Sequence, residues 1–321
     1  MKVQRFWPSS GGWQLDVRRH HTPARLDRSL KPVLLIPGYC MNTTPLGFHP
    51  EGMSMIELLA ERGFEVWTAN LRGQGDSRSV GGPRNVGFRE LVLGDLASAI
   101  REVRERTAAA QDRVDVVGCS LGGTYVFAYL AHHVTDHGIG SFVGIGAPLR
   151  WEKPHALMKI AFRSPALASR LHVSGTRAFA KAFLPLLAER FPAALSMYMN
   201  TSIVDLSRAD ELVKTVEDPI PKLNGEIARW LRSGDLEVAG VNVTRGLERV
   251  DRPFLAIVAN RDGIVPPESA RTAADVVRRS DVLEVGDDET WFAHADLFIS
   301  RYSQERVFEP LARWLRDRTD D

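Results

Sequence analysis

Cysteine is nearly missing from this chain: Cys40 and Cys119 are the only two in 321 residues. That is too few for a disulfide framework, a cysteine zinc cluster or an iron–sulfur cage, and a reducing compartment is the simpler setting. An excess of one charge is missing as well. Forty-one Lys and Arg against 40 Asp and Glu give a formal net charge of +1, so the chain as a whole has no electrostatic footprint for nucleic acid. No apolar run reaches the ~18 residues that a bilayer-spanning helix requires, because Gly, Pro or Arg breaks each one. Residues 1–21 mix charged and aromatic side chains and lack the apolar stretch of a secretory signal. These absences predict a cytoplasmic chain with no nucleic-acid partner, no integral membrane segment, no metal and no cofactor.

What is present is ordinary globular material, 44% hydrophobic and 25% charged, in a chain long enough to bury a substantial core. At roughly 150 residues per domain, two domains fit, and so does one large α/β domain with an insertion. Residues 3–7 and 13–20 flank a Ser-Ser-Gly-Gly turn and read as an N-terminal antiparallel hairpin. Val33 to Ile36 is a short, wholly apolar run stopped by Pro37-Gly38, the pattern of a strand buried on both faces. Helix and strand then alternate: helix 54–62, strand 64–69, helix 88–106, strand 113–117, helix 121–133, strand 141–145. That rhythm argues for a mostly parallel sheet covered by helices on both faces. From Ala147 to Val250 the strand signals stop and helical periodicity takes over. A strand at 254–259, a helix at 268–279, a strand at 282–285 and an amphipathic helix at 303–318 restore the alternation. The middle segment is therefore an insertion: core 1–146 and 251–321, inserted helical segment 147–250.

Strand Val114 to Val117 runs into Gly118-Cys119-Ser120-Leu121-Gly122 and then a helix, a G-x-S-x-G sequence in the strand–turn–helix setting of a nucleophile elbow. The turn must be sharp enough to push the serine Oγ above the sheet, and only small flanking residues let the backbone fold so tightly. A serine hydroxyl needs a base, and the base needs an orienting carboxylate. Asp262 follows the strand at 254–259, and His294 is the only one of nine histidines in the loop after the last strand. Both sit at carboxyl ends of strands, where open α/β sheets build their sites.

At these residues the chain resembles the α/β-hydrolase fold enzymes, esterase- and lipase-like, and the likeness spans nearly all of it. Leu34-Leu35-Ile36-Pro37-Gly38-Tyr39 resembles the family's oxyanion strand and loop, with Pro37 where a His is usual. The stretch from Gly63 to Ser77 resembles the following strand and its R-G-x-G-x-S loop, with Asn70 in place of the usual Asp. The resemblance implies an eight-stranded, mostly parallel sheet with a helical cap over residues 147–250. It implies Ser120 as nucleophile, His294 as general base, Asp262 as its orienting acid, and an oxyanion hole from the backbone N–H groups of Tyr39 and Leu121. Serine at the elbow argues against the dehalogenase and epoxide hydrolase branches, which use Asp there.

Other residues read more plainly. Cys119 and Cys40 are packing residues. Asp287, Asp288 and Asp296 are the alternatives to Asp262. His132, His133 and His137 favour a helix C-terminus over a metal site, and Arg72 organises its loop. Apolar residues at helical spacing in the inserted segment, with several Met and Phe, suit a small-molecule ester with a hydrophobic acyl group. The expected activity is hydrolysis of such an ester through an acyl-enzyme. The same residues would serve an acyltransferase, and a non-catalytic binding member of the fold is the third reading. A homo-oligomer is left open.

Overall fold

A computed structural model describes residues 1–170 and 172–319. Eight strands form one sheet: β1 (Lys2–Phe6), β2 (Asp16–His21), β3 (Val33–Ile36), β4 (Val66–Asn70), β5 (Val114–Cys119), β6 (Ile139–Ile145), β7 (Phe254–Ala259) and β8 (Ser280–Val285). Their spatial order is β1-β2-β4-β3-β5-β6-β7-β8. The first two pairings, β1 with β2 and β2 with β4, are antiparallel, and the rest are parallel. The register sets Ile36 opposite Gly118 and Cys119 opposite Ile145. The loops leaving β3, β5 and β6 therefore emerge side by side at one edge of the sheet.

The central strands are buried throughout, and their alternate residues feed two apolar layers, as the two-residue period of a strand requires. Leu34, Ile36, Val116, Phe142 and Phe254 face a layer with α2 (Ala97–Arg106) and α3 (Leu121–His132). Leu35, Val117, Val143 and Ile257 face the other, with α1 (Met55–Glu61) and the C-terminal Glu309–Arg316 helix. Helix α1 starts where it does because Ser54 and Glu57 form a reciprocal capping box. Between β6 and β7 the chain is mainly helical. Its longest helices are α4 (Thr176–Arg190) and α5 (Pro221–Ser233). Among the described residues no helix is long and apolar enough to cross a membrane.

Local expectations change at several points. The N-terminal hairpin divides: β1 pairs with β2, while Ser9–Ser10 and Trp13–Gln14 pair separately and join Arg78–Ser79 in a three-stranded ribbon. Pro8 has no N–H to offer a continuous ladder, and its carbonyl instead accepts the Leu15 N–H at 3.0 Å. The helix read over 268–279 stops at Arg271, because the Thr272 hydroxyl turns back onto the Ser269 carbonyl (2.7 Å) and accepts the N–H of Arg150 (3.0 Å). The helix read over 88–106 opens into wider π-type turns at Glu90–Leu96 before α2. The inserted segment also contains a two-residue hairpin, Glu237–Val238 with Val241–Asn242.

Two buried histidines give the fold a pH dependence. Burial, reinforced by Arg18 for His20 and by Arg252 for His137, lowers both from 6.5 to about 4. The unfolded chain takes up these protons near 6.5 and the folded chain only near 4. Stability is therefore lost as pH falls across that window, by about 3 kcal/mol for each histidine. Urea unfolding of the wild type and His20→Leu between pH 7 and 4 should show a shallower decline in the variant, and equal slopes would contradict the assignment.

Candidate active site

Ser120 sits at the tip of the turn between β5 and α3 with φ 52° and ψ −127°, a positive-φ conformation outside the left-handed helical region and rare for a residue with a Cβ. Its N–H donates to the Ile145 carbonyl at 2.7 Å, and its carbonyl accepts the Gly123 N–H at 2.9 Å. The surrounding glycines follow from the crowding. A Cβ at Gly118 would lie 2.4 Å from Gly123 Cα, one at Gly122 would lie 2.5 Å from the Ile36 carbonyl oxygen, and one at Gly38, on the neighbouring loop, would lie 2.8 Å from Ser120 Cβ. The G-x-S-x-G spacing is thus a packing requirement of the turn.

His294 lies in the loop after β8 and Asp262 in the loop after β7. The structure brings them together: His294 Nδ1 is 2.5 Å from Asp262 Oδ2, with both residues buried. The other carboxylate oxygen of Asp262 accepts the N–H groups of Ile264 and Val265, each at 2.8 Å. Those bonds fix the acid before it meets the imidazole. Gly146 has φ +56°, and a Cβ there would stand 3.1 Å from His294 Cε1. The Gly38 carbonyl accepts the Gln74 side-chain amide at 3.0 Å, which sets the loop carrying Tyr39 against the elbow. The Tyr39 hydroxyl bonds Asn224 of α5, and burial holds it protonated, well above the usual tyrosine range.

Ser120, His294, Tyr39 and Leu121 all line one cavity of about 560 Å³. Its remaining wall is mostly apolar and comes from both the sheet edge and the inserted segment, with Phe162, Phe179, Phe183, Met199 and Ile264 among the lining side chains.

Two residues that hold the histidine loop carry no motif. Asn260 Oδ1 accepts the Phe292 N–H (2.9 Å) while its amide donates to the Asp287 carbonyl (3.1 Å). Asp296 accepts N–H groups from Ala293 (2.7 Å) and Asn200 (2.9 Å), so it ties the loop to the inserted segment instead of orienting His294. Burial raises its carboxyl to about 6 despite those donors. Asp287 is exposed and pairs with Arg306 at 2.9 Å.

Arg72 is buried in a forked ion pair with Asp95, at 2.8 and 2.6 Å, which fits a loop-organising role. Asn70 takes up specific contacts of its own, accepting the Thr43 N–H and donating to Asp16, both at 3.0 Å. Cys119 is fully buried, and burial pushes its thiol up. Cys40 is among the residues lining the cavity, and its thiol is pushed up to about 12, chiefly by burial. Both thiols therefore stay protonated and weakly nucleophilic at neutral pH. His132 bonds the Val238 carbonyl and His137 accepts the Ile139 N–H, each at 2.9 Å. Among the described residues no group of three His, Cys, Asp or Glu is arranged to hold a metal ion.

A family model described as the alpha/beta hydrolase fold matches residues 31–293, and the chain belongs to that family. Among solved structures it is similar to a thermophilic esterase from Thermogutta terrifontis, at 18% identity and TM-score 0.62, covering 99% of this chain and 100% of that one. It is also similar to a bromoperoxidase from Bacillus anthracis, at 18% identity and TM-score 0.66, covering 98% and 100%. An enol-lactonase from Burkholderia xenovorans LB400 matches at 14% identity and TM-score 0.63, again covering 98% and 100%. No curated protein matches the sequence. At these identities the likeness is one of fold, and a fold shared by such different activities leaves the chemistry to be argued from the site.

Proposed function

We propose that this chain hydrolyses carboxylic esters with a hydrophobic acyl group through an acyl-enzyme formed on Ser120. One observation carries the reading: a strained serine opens into the same apolar cavity as a histidine whose Nδ1 is held on a buried, doubly anchored carboxylate. His294 Nε2 takes the Ser120 proton as Oγ bonds to the ester carbonyl carbon. Negative charge moves onto the carbonyl oxygen, toward the backbone N–H groups of Tyr39 and Leu121. Collapse breaks the bond to the alcohol, which leaves with the proton from His294. Water, deprotonated by the same imidazole, then bonds to the acyl carbon, the bond to Ser120 Oγ breaks to release the acid, and His294 returns the proton to Oγ. Residues 147–250 act as a cap that walls the acyl site. The structural likeness to an esterase supports the class of reaction by analogy.

A fluorophosphonate probe tests the reading by attaching to Ser120 alone. If another serine is labelled, the elbow is not the site. Product analysis with an added alcohol separates hydrolysis from acyl transfer. With esters of one leaving group, kcat/KM should rise up to about fourfold per methylene as the acyl chain fills the cavity, from ~0.8 kcal/mol per buried CH₂. Acetyl esters would be poor substrates, and a steady fall from acetyl upward would refute the hydrophobic acyl site.

A further inference from the structure

Large apolar side chains are not spread evenly over the surface. Ile160, Leu167, Val173, Phe179, Phe183 and Phe191 are all exposed, and all fall in one part of the inserted segment. Ile160 and Leu167 are 70% and 67% accessible, and Phe179 is 62%. Such a concentration on a globular chain marks an interaction surface.

Charge is segregated onto the same stretch. From Lys153 to Arg190 there are seven Lys and Arg and a single acidic residue, Glu189, in a chain whose net charge is only +1. The rest of the chain is therefore net acidic. All seven basic side chains are exposed. Lys153 pairs with Glu268 and Arg177 with Glu217, both at 2.9 Å. Two of these exposed residues, Phe179 and Phe183, also reach the cavity that holds Ser120. They lie one helical turn apart on α4 with rings 4.3 Å apart.

From this we propose that the described residues between Lys153 and Phe191 form a face that docks on an anionic lipid bilayer and presents the cavity mouth to it. Exposed Phe, Ile and Leu suit the boundary between headgroups and acyl chains, and long basic side chains reach from the same depth to lipid phosphates. An acidic protein would answer the charge. A lipid surface answers both the charge and the apolar side chains, which are distributed over several short helices and not gathered in a single groove. The inference does not depend on which reaction Ser120 performs.

Vesicle flotation of the full chain tests it, with phosphatidylcholine alone and with phosphatidylcholine mixed with phosphatidylglycerol. The chain should float with the anionic vesicles. Partitioning should be at least about tenfold weaker on neutral vesicles and in 1 M salt, where the screening length drops to about 3 Å. Lys159→Glu/Arg163→Glu and Ile160→Ser/Leu167→Ser should each weaken partitioning at least about tenfold by removing charge or insertion. Circular dichroism melting checks that each variant is folded, and either variant alone decides the matter. Failure to float with anionic vesicles at low salt would overturn the proposal, as would equal binding to neutral vesicles or folded variants that bind like the wild type. A dimer in sedimentation equilibrium that Ile160→Ser/Leu167→Ser dissociates would also overturn it, by assigning the face to a second copy.

Discussion

Ser120→Ala should remove turnover to within background while leaving the melting temperature and urea midpoint unchanged. The two halves of that expectation have separate causes. Alanine keeps the Cβ and therefore the same backbone strain at φ 52° and the same contact with Gly38, so the elbow gains and loses nothing in packing. The missing Oγ is the atom that must bond to the ester carbonyl, and no neighbouring group replaces it. The nearest sulfur in sequence, Cys119, is buried beneath the turn with its thiol held protonated. The loss in kcat should be on the order of 10⁴- to 10⁶-fold, with any residual rate coming from the oxyanion donors and binding alone. Ester assays of the purified variant read the first half, and thermal and urea melts read the second. Wild-type turnover in the folded variant would end the assignment of Ser120 as nucleophile.

The parts of this molecule legible in the sequence are those set by short-range pattern. Val33–Ile36 and Phe254–Ala259 fall where the apolar runs put them, because a strand buried on both faces admits little else. The elbow was legible for the same reason, since its glycines answer to contacts within a few residues and across one strand. Where chain direction is decided by a side chain folding back, the pattern misleads. Thr272 carries the right polarity for a helix through 279, yet its hydroxyl bonds to Ser269 and to the backbone at Arg150, and the helix ends. The support of the histidine loop was hidden more deeply. Asn260 meets Phe292, and Asp296 meets Asn200 besides the nearby Ala293, through backbone groups far away in sequence, and no spacing rule encodes such long-range pairs. Asp296 stood as an alternative to Asp262 on position alone. Only the geometry separates them, one carboxylate on His294 Nδ1 and the other on the N–H groups of Ala293 and Asn200.

That geometry makes the second large effect a matter of coupling. Asp262 reaches the reacting atoms only through His294: one oxygen accepts two backbone N–H groups and the other meets Nδ1 at 2.5 Å. Its work is to hold the imidazole in the tautomer that leaves Nε2 free to accept the serine proton, and to stabilise the imidazolium that forms. Asp262→Asn presents either an amide N–H or a neutral oxygen to Nδ1, so it loses the charge and, in one orientation, the tautomer. A fall in kcat of about 10⁴-fold is expected. His294→Ala removes the base itself and should cost as much or more. Once the imidazole is gone the carboxylate has nothing to orient, so the double variant should lose little beyond His294→Ala, a strongly non-additive pair. Kinetics of the four proteins on one ester give the result directly. If the two losses multiply, Asp262 acts on the substrate by another route and the proposed triad is wrong. A double variant no worse than His294→Ala, with Ser120 still present and the fold intact, would place the acid behind the imidazole, where the 2.5 Å contact puts it.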